Sequence, residues 1–155
     1  MNKNKFGELI LHSQDSLYRI AKSILYKDDD CYDAIQEAII KGFTNLHSLK
    51  NDKYAKTWLI RILINECNEI LRHNSKEDYL DDKTFEISYE AQDYSFLYEA
   101  VMKLSKEYRI CIVLFYIEGY KIKEIASIIN STESAVKKRL SRAKQKLRDY
   151  LEGGN

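Results

Sequence analysis

Apolar residues recur at helical spacing along most of this chain, and that repetition restricts it to a fold built from helices. Leu17, Ile20, Ala21, Ile24 and Leu25 follow the i, i+3, i+4, i+7, i+8 order of one buried stripe. Ile35, Ala38, Ile39, Phe43 and Leu46 give a second stripe, and Trp58, Leu59, Ile62, Leu63 and Ile70 a third. Trp58 lies on its apolar stripe and is read as core rather than as a base-stacking ring. Between the first two stripes, "KDDDCYD" supplies a break. Asp30 is expected to cap the following helix, with Asp33 in its first turn, where the helix dipole favours a carboxylate. The pattern resumes with Phe96, Ala100, Val101 and Leu104, then Ile110, Val113, Leu114 and Ile117. No strand alternation of comparable strength interrupts it. The absence of proline and the presence of only five glycines suit long helices rather than many tight turns. The expected fold class is all-α.

The end of the chain carries a more specific pattern. "EGY" at 118–120 marks a turn, and a short helix follows with Ile122, Ile125, Ala126 and Ile129. "NST" then leads into a last helix with Val136, Leu140, Ala143, Leu147 and Leu151. Two helices joined by about three polar residues form a helix-turn-helix. Asn130 stands where such a turn needs left-handed dihedrals, and Thr132 stands where the second helix needs a cap.

Charge divides the chain into three parts. The total is nearly neutral, at +1. Residues 1–73 are close to balanced, residues 74–95 hold two basic against seven acidic side chains, and residues 96–155 hold twelve against seven. Two small helical domains joined by an acidic linker are therefore expected, with boundaries at 1–73, 74–95 and 96–155. Tyr79, Leu80, Phe85 and Ile87 within the linker suggest that it rests on something. The stretch 134–148 holds seven basic residues and no acidic one. On a helical wheel Ser134, Lys137, Lys138, Ser141 and Arg142 leave the apolar side near the helix start, where a second helix offers base-reading groups. Arg139, Lys144, Lys146 and Arg148 suit phosphates. The plainer reading of the same residues is a solvated basic surface.

Several function classes find no support. Cys31, Cys67 and Cys111 are odd in number and far apart, without a CxxC pair, and are read as small core residues. His12, His47 and His73 are scattered, and neither a nucleotide-binding loop nor an E-x-x-H pair is present. No catalytic residue, metal, cofactor or small-molecule substrate is expected. No apolar run approaches membrane-spanning length and the start of the chain lacks a signal-peptide pattern, so a cytoplasmic protein is expected.

The segments "YDAIQEAIIKGFTNL", "KTWLIRILINECNEILR", "KLSKEYRICIVLFYIEGYKIKEIASIIN" and "AVKKRLSRAKQKLRDYL" together resemble the extracytoplasmic-function sigma factors of bacteria, in order and over nearly the whole chain. "SLKNDKYAKTWLIRIL" looks most similar to their lysozyme-responsive, envelope-stress branch in low-GC Gram-positive bacteria. The resemblance implies a factor that joins core RNA polymerase and directs initiation at chosen promoters. It implies that Asp33, Gln36 and Glu37 bind the β′ clamp, that the protein also meets the β flap, and that an anti-sigma factor, sometimes membrane-anchored, restrains it. It further implies that the loop before Trp58, with Lys50, Asn51, Asp52, Lys53, Tyr54 and Lys56, captures a flipped base of the minus-ten element, with Arg61 and Asn65 beside it. The last helix would read the minus-thirty-five element, and the linker would thread toward the polymerase's channels or serve as a plain tether. The competing reading is a stand-alone helix-turn-helix regulator whose first domain dimerises or senses a ligand.

Overall fold

The computed structural model describes residues 1–74 and 95–153. The acidic linker expected at 74–95, with Tyr79, Leu80, Phe85 and Ile87, lies outside them except at its two ends. The described residues fall into two compact helical units, one on each side of that segment, and contain no strand.

The first unit holds α1 (Lys3–His12), α2 (Gln14–Ile24), α3 (Asp28–Thr44) and α4 (Ala55–His73). Two single 3-10 turns, Leu46–Ser48 and Asp52–Tyr54, connect α3 to α4. The Asn2 side chain caps α1 by accepting from the Lys5 amide at 2.8 Å. The α2 stripe is as expected: Leu17, Ile20, Ala21, Ile24 and Leu25 are all buried. On α3 the buried line is instead Cys31, Ala34, Ala38 and Gly42, while Ile35, Ile39 and Phe43 sit at its margin. Small side chains let a helix axis come close to its neighbours, so size rather than hydrophobicity sets the centre of this contact. Gly42 shows the constraint, because a Cβ there would come within 2.7 Å of the Phe6 ring. Phe6 is wholly buried and meets Phe43 and Trp58 edge-on, with ring centroids 5.0 and 5.9 Å away. Trp58 thus packs on the core, as read from its stripe, although part of its ring stays exposed.

The start of α3 differs from the expected cap. The helix begins at Asp28, so Asp28, Asp29 and Asp30 fill its first turn and Asp33 falls in the second. Asp28 accepts from the Lys22 ammonium and the Tyr18 hydroxyl, each at 2.7 Å, and Asp30 accepts from the Asn74 side-chain amide at 3.3 Å. Three acidic residues in the first turn suit the dipole, which removes the need for a side-chain cap.

The second unit holds α5 (Ser95–Met102), α6 (Lys106–Ile112), α7 (Ile122–Ile128) and α8 (Glu133–Glu152). α6 runs on through a π-turn, Val113–Ile117, in which the Glu118 amide reaches back to the Val113 carbonyl at 2.9 Å. The core comprises Leu104, Ile110, Cys111, Leu114, Ile125, Ile128, Val136, Leu140 and Ala143. Ile117 was expected inside and is 54% exposed, because the widened turn takes it off the α-helical register. Phe96 is also exposed, and Ile128 rather than Ile129 is buried at the end of α7. Arg109 is buried and donates to the Leu104 carbonyl at 2.7 Å, satisfying an acceptor in the α5–α6 connection. The "EGY" turn is present, with Gly119 at φ +77° and the Tyr120 amide bonded to the Leu114 carbonyl at 2.9 Å.

Candidate nucleic-acid and partner interfaces

The turn between α7 and α8 sets the direction of the basic helix. Asn130 has φ 54°, the left-handed region. The Ser131 amide donates to the Ala126 carbonyl at 2.8 Å and the Asn130 amide to the Ser127 carbonyl at 3.4 Å. These two bonds are the Schellman closure of a helix end. Two residues on, the Thr132 hydroxyl oxygen accepts from the Ala135 amide at 3.0 Å and starts α8. At the near end of α7 the Lys121 amide donates to the Glu124 carboxylate at 3.0 Å. Both expected turn residues therefore do what their chemistry suits.

Val136, Leu140 and Ala143 bury one side of α8. At 100° per residue the side facing away from them carries Ser134, Lys138, Ser141, Arg142 and Gln145, all exposed. Lys137, Lys144 and Arg148 form one flank, beside a groove of about 390 Å³ floored by Phe115, Tyr116 and Ile122. The Lys144 ammonium lies 5.8 Å from the Tyr116 ring centre, and on the other flank Lys146 lies 5.7 Å from that of Tyr108. Arg139 does not join the exposed group; it is half-buried within hydrogen-bonding reach of the Cys111 thiol. Among the described residues Lys137, Lys138, Arg142 and Arg148 enter no salt bridge. A helix face with several unneutralised cations and two serines is an acceptor of polyanions. Gln145, held by a 3.0 Å bond from its amide to the Asp149 carboxylate, also faces outward, and charge counting overlooked it.

In the first unit Tyr54, Arg61 and Asn65 are exposed and, at spacings of seven and four, lie along one line at and beyond the start of α4. Lys50, Asn51, Asp52 and Lys53 occupy the loop before them and are all exposed. Asn51 uses its side-chain oxygen within the loop, accepting from the Lys53 amide at 3.0 Å. Lys53 sits 5.8 Å from the Tyr54 ring centre, and the Asp52 carboxylate lies 2.8 Å from the Met1 nitrogen. Lys56 falls on the opposite side of α4 and is half-buried. On the same line as Asn65 is Asn68, whose side-chain oxygen is buried without a hydrogen-bond partner among the described residues.

Asp33, Gln36 and Glu37 are exposed together on α3. Tyr32 and Ile40 share that outer surface, off the apolar stripe read from the sequence, and neither charge nor motif singled them out. The three cysteines are buried, and burial pushes the Cys31 thiol up to about 12 and raises Cys67 and Cys111 as well. Thiols so placed are poor nucleophiles. Among the described residues no three His, Cys, Asp or Glu side chains converge where they could hold a metal ion, and no helix is long and apolar enough to cross a membrane.

Comparison with known proteins agrees with this two-unit layout. Residues 9–77 match the family model for Sigma-70 region 2, and residues 97–147 match Sigma-70, region 4. The chain is 33% identical over 144 residues to the RNA polymerase sigma factor SigV of Bacillus subtilis, covering 90% of this chain and 86% of that one. It is 25% identical to the extracytoplasmic-function factor SigW of the same organism, over 97% of this chain and 90% of that one. Among solved structures it is similar to the sigma factor RpoE of Bartonella quintana in complex with the anti-sigma factor NepR. That match has a TM-score of 0.80 and 26% identity, over 96% of this chain and 97% of that one.

Proposed function

The chain belongs to the sigma-70 family of RNA polymerase sigma factors, in its extracytoplasmic-function group, and from that premise we propose how its two units divide promoter recognition. A sigma factor is an initiation factor, so the nucleotide chemistry is the polymerase's own. The second unit lays α8 in the major groove of the minus-thirty-five element. Ser134, Lys137, Lys138, Ser141 and Arg142 face base edges, while Lys144, Lys146 and Arg148 grip phosphates. The observation that carries this reading is the exposed face of α8, free of salt bridges among the described residues and started by Thr132 directly after the Asn130 turn.

The first unit meets the minus-ten element. Tyr54 offers a stacking ring for an extruded base, whose unstacking costs about a few kcal/mol, and Arg61 and Asn65 continue the same line with donors. The α3 surface with Asp33, Gln36 and Glu37 docks the β′ clamp of core polymerase, and the second unit meets the β flap. The acidic segment 74–95 links the two and offsets the charge of α8. An anti-sigma factor, membrane-anchored or soluble, restrains the protein in the cytoplasm, and the similarity to SigV supports a role in the lysozyme-responsive envelope-stress branch. A stand-alone regulator would leave the α3 surface and the loop before Trp58 without a task.

Run-off transcription with bacterial core polymerase across a promoter library tests the reading. The expected result is initiation from a small set of promoters sharing two elements. A protein that neither bound core nor directed initiation would overturn it.

A further inference from the structure

We propose that Tyr32 is an aromatic anchor of the polymerase-docking surface and that Tyr18, fixed by Asp28 and Lys22, holds its ring in place. This rests on the reading of α3 as the docking helix. The outer face of α3 carries Asp29, Asp33, Gln36 and Glu37, and among the described residues none of its three carboxylates enters a salt bridge. Two apolar side chains are set into this polar surface. Tyr32 is 52% exposed and Ile40 58% exposed, and with Gln36 between them they follow one another four residues apart along the helix.

Tyr32 is not a loose surface ring. It stacks on Tyr18 with ring centroids 5.9 Å apart and planes 27° from parallel. The Tyr18 hydroxyl donates to Asp28 Oδ1 at 2.7 Å, and the Lys22 ammonium donates to the same oxygen at 2.7 Å. Lys22 is only 6% exposed and also donates to the Tyr26 carbonyl at 2.7 Å. A buried ammonium is stable only when paired and hydrogen-bonded, so this cluster has one arrangement. The chain of contacts runs from a buried charge to an exposed ring and fixes that ring before any partner arrives. A pre-fixed aromatic loses little rotamer freedom on binding, which is why such rings dominate interface energetics.

The surface also states its partner's chemistry. Three carboxylates call for lysine or arginine, the outer face of the Tyr32 ring accepts a guanidinium or ammonium, and Ile40 needs an aliphatic neighbour. A basic helix with aliphatic residues between its cations fits, and under the present reading the clamp supplies it.

The test is the affinity of the full chain for bacterial core polymerase, with Glu37→Ala as reference. Tyr32→Ala is expected to weaken binding about tenfold or more, with the free protein still folded by circular dichroism and its thermal midpoint lowered only slightly, because the ring is half exposed and loses one stacking contact. Tyr32→Phe should restore binding, since the ring and not the hydroxyl makes the contact. Tyr18→Leu, which removes the stacking platform, should weaken binding about threefold to tenfold, provided circular dichroism shows it folded. Wild-type affinity in Tyr32→Ala beside a weakened Glu37→Ala would overturn the anchor and leave the docking reading standing. Loss in Tyr32→Ala without loss in folded Tyr18→Leu would overturn the positioning role alone. A wild-type chain that fails to bind core would overturn the docking reading and this inference with it.

Discussion

At position 130 the backbone takes φ 54°, and the side chain that tolerates it is asparagine. The two closing bonds to Ala126 and Ser127 depend on that dihedral, so the residue sets the angle between α7 and α8. Asn130→Gly should leave stability unchanged or raise it slightly, whereas Asn130→Ala should cost roughly 1–2 kcal/mol, read from urea denaturation followed by circular dichroism. Equal midpoints for the two would mean the turn relaxes to another conformation. Twelve residues on, Arg142 is exposed and without a salt bridge among the described residues, whereas Lys146 rests on the Tyr108 ring at the helix flank. Arg142→Ala should therefore change preference at one base pair of the minus-thirty-five element by about 1–3 kcal/mol. Lys146→Ala should weaken all sequences alike and reduce the slope of log affinity against log salt by about one. Binding titrations on a set of single-base variants at three salt concentrations separate the two, and equal sequence effects would show that the roles are wrongly divided.

Elements differ in how openly the sequence declares them. The helix-turn-helix was legible because its determinants are local: one residue suited to positive φ, one hydroxyl two positions later, and an apolar stripe on each side. The α2 stripe was legible for the same reason. The packing line of α3 was not, because periodicity ranks Ile35, Ile39 and Phe43 above Cys31, Ala34 and Gly42, while close approach of helices selects the smaller set. Ile117 was misplaced because a π-turn shifts the register without any sequence mark. For the proposed docking surface, charge and resemblance named Asp33, Gln36 and Glu37 but passed over Tyr32 and Ile40, which carry no charge and fall outside the motif and the apolar stripe. The first turn of α3 gives a pH prediction. The hydrogen bond from Lys22 holds the Asp28 carboxyl below its usual 3.8, with Tyr18 adding to the effect and partial burial opposing it. A carboxylate lowered in the folded state stabilises fully above its unfolded pKa, and that contribution is lost as pH falls through the folded one. Wild-type urea midpoints should thus drop below about pH 4, and Asp28→Asn, weaker at neutral pH, should drop less over the same range. Parallel curves would assign the acid sensitivity to other carboxylates.

At the scale of the whole molecule, near-neutrality is a cancellation between segments, and the tasks proposed for those segments should be separable by measurement. Glu37 sits on the α3 surface proposed to dock core polymerase, in the first unit, and Arg142 on the outer face of α8 in the second. Glu37→Ala should lower affinity for core polymerase and reduce run-off product from every promoter by a common factor. Arg142→Ala should redistribute product among promoters while core affinity stays at the wild-type value. Because the two side chains share no partner and belong to different units, their effects on the free energy of productive initiation should add to within about 0.3–0.5 kcal/mol in the double variant. Run-off yields at limiting factor, on two promoters that differ at the Arg142-dependent base pair, provide the four corners of that cycle. A coupling well above 1 kcal/mol would mean that docking on core and reading of the minus-thirty-five element are not independent steps, and that the polymerase transmits the state of one unit to the other.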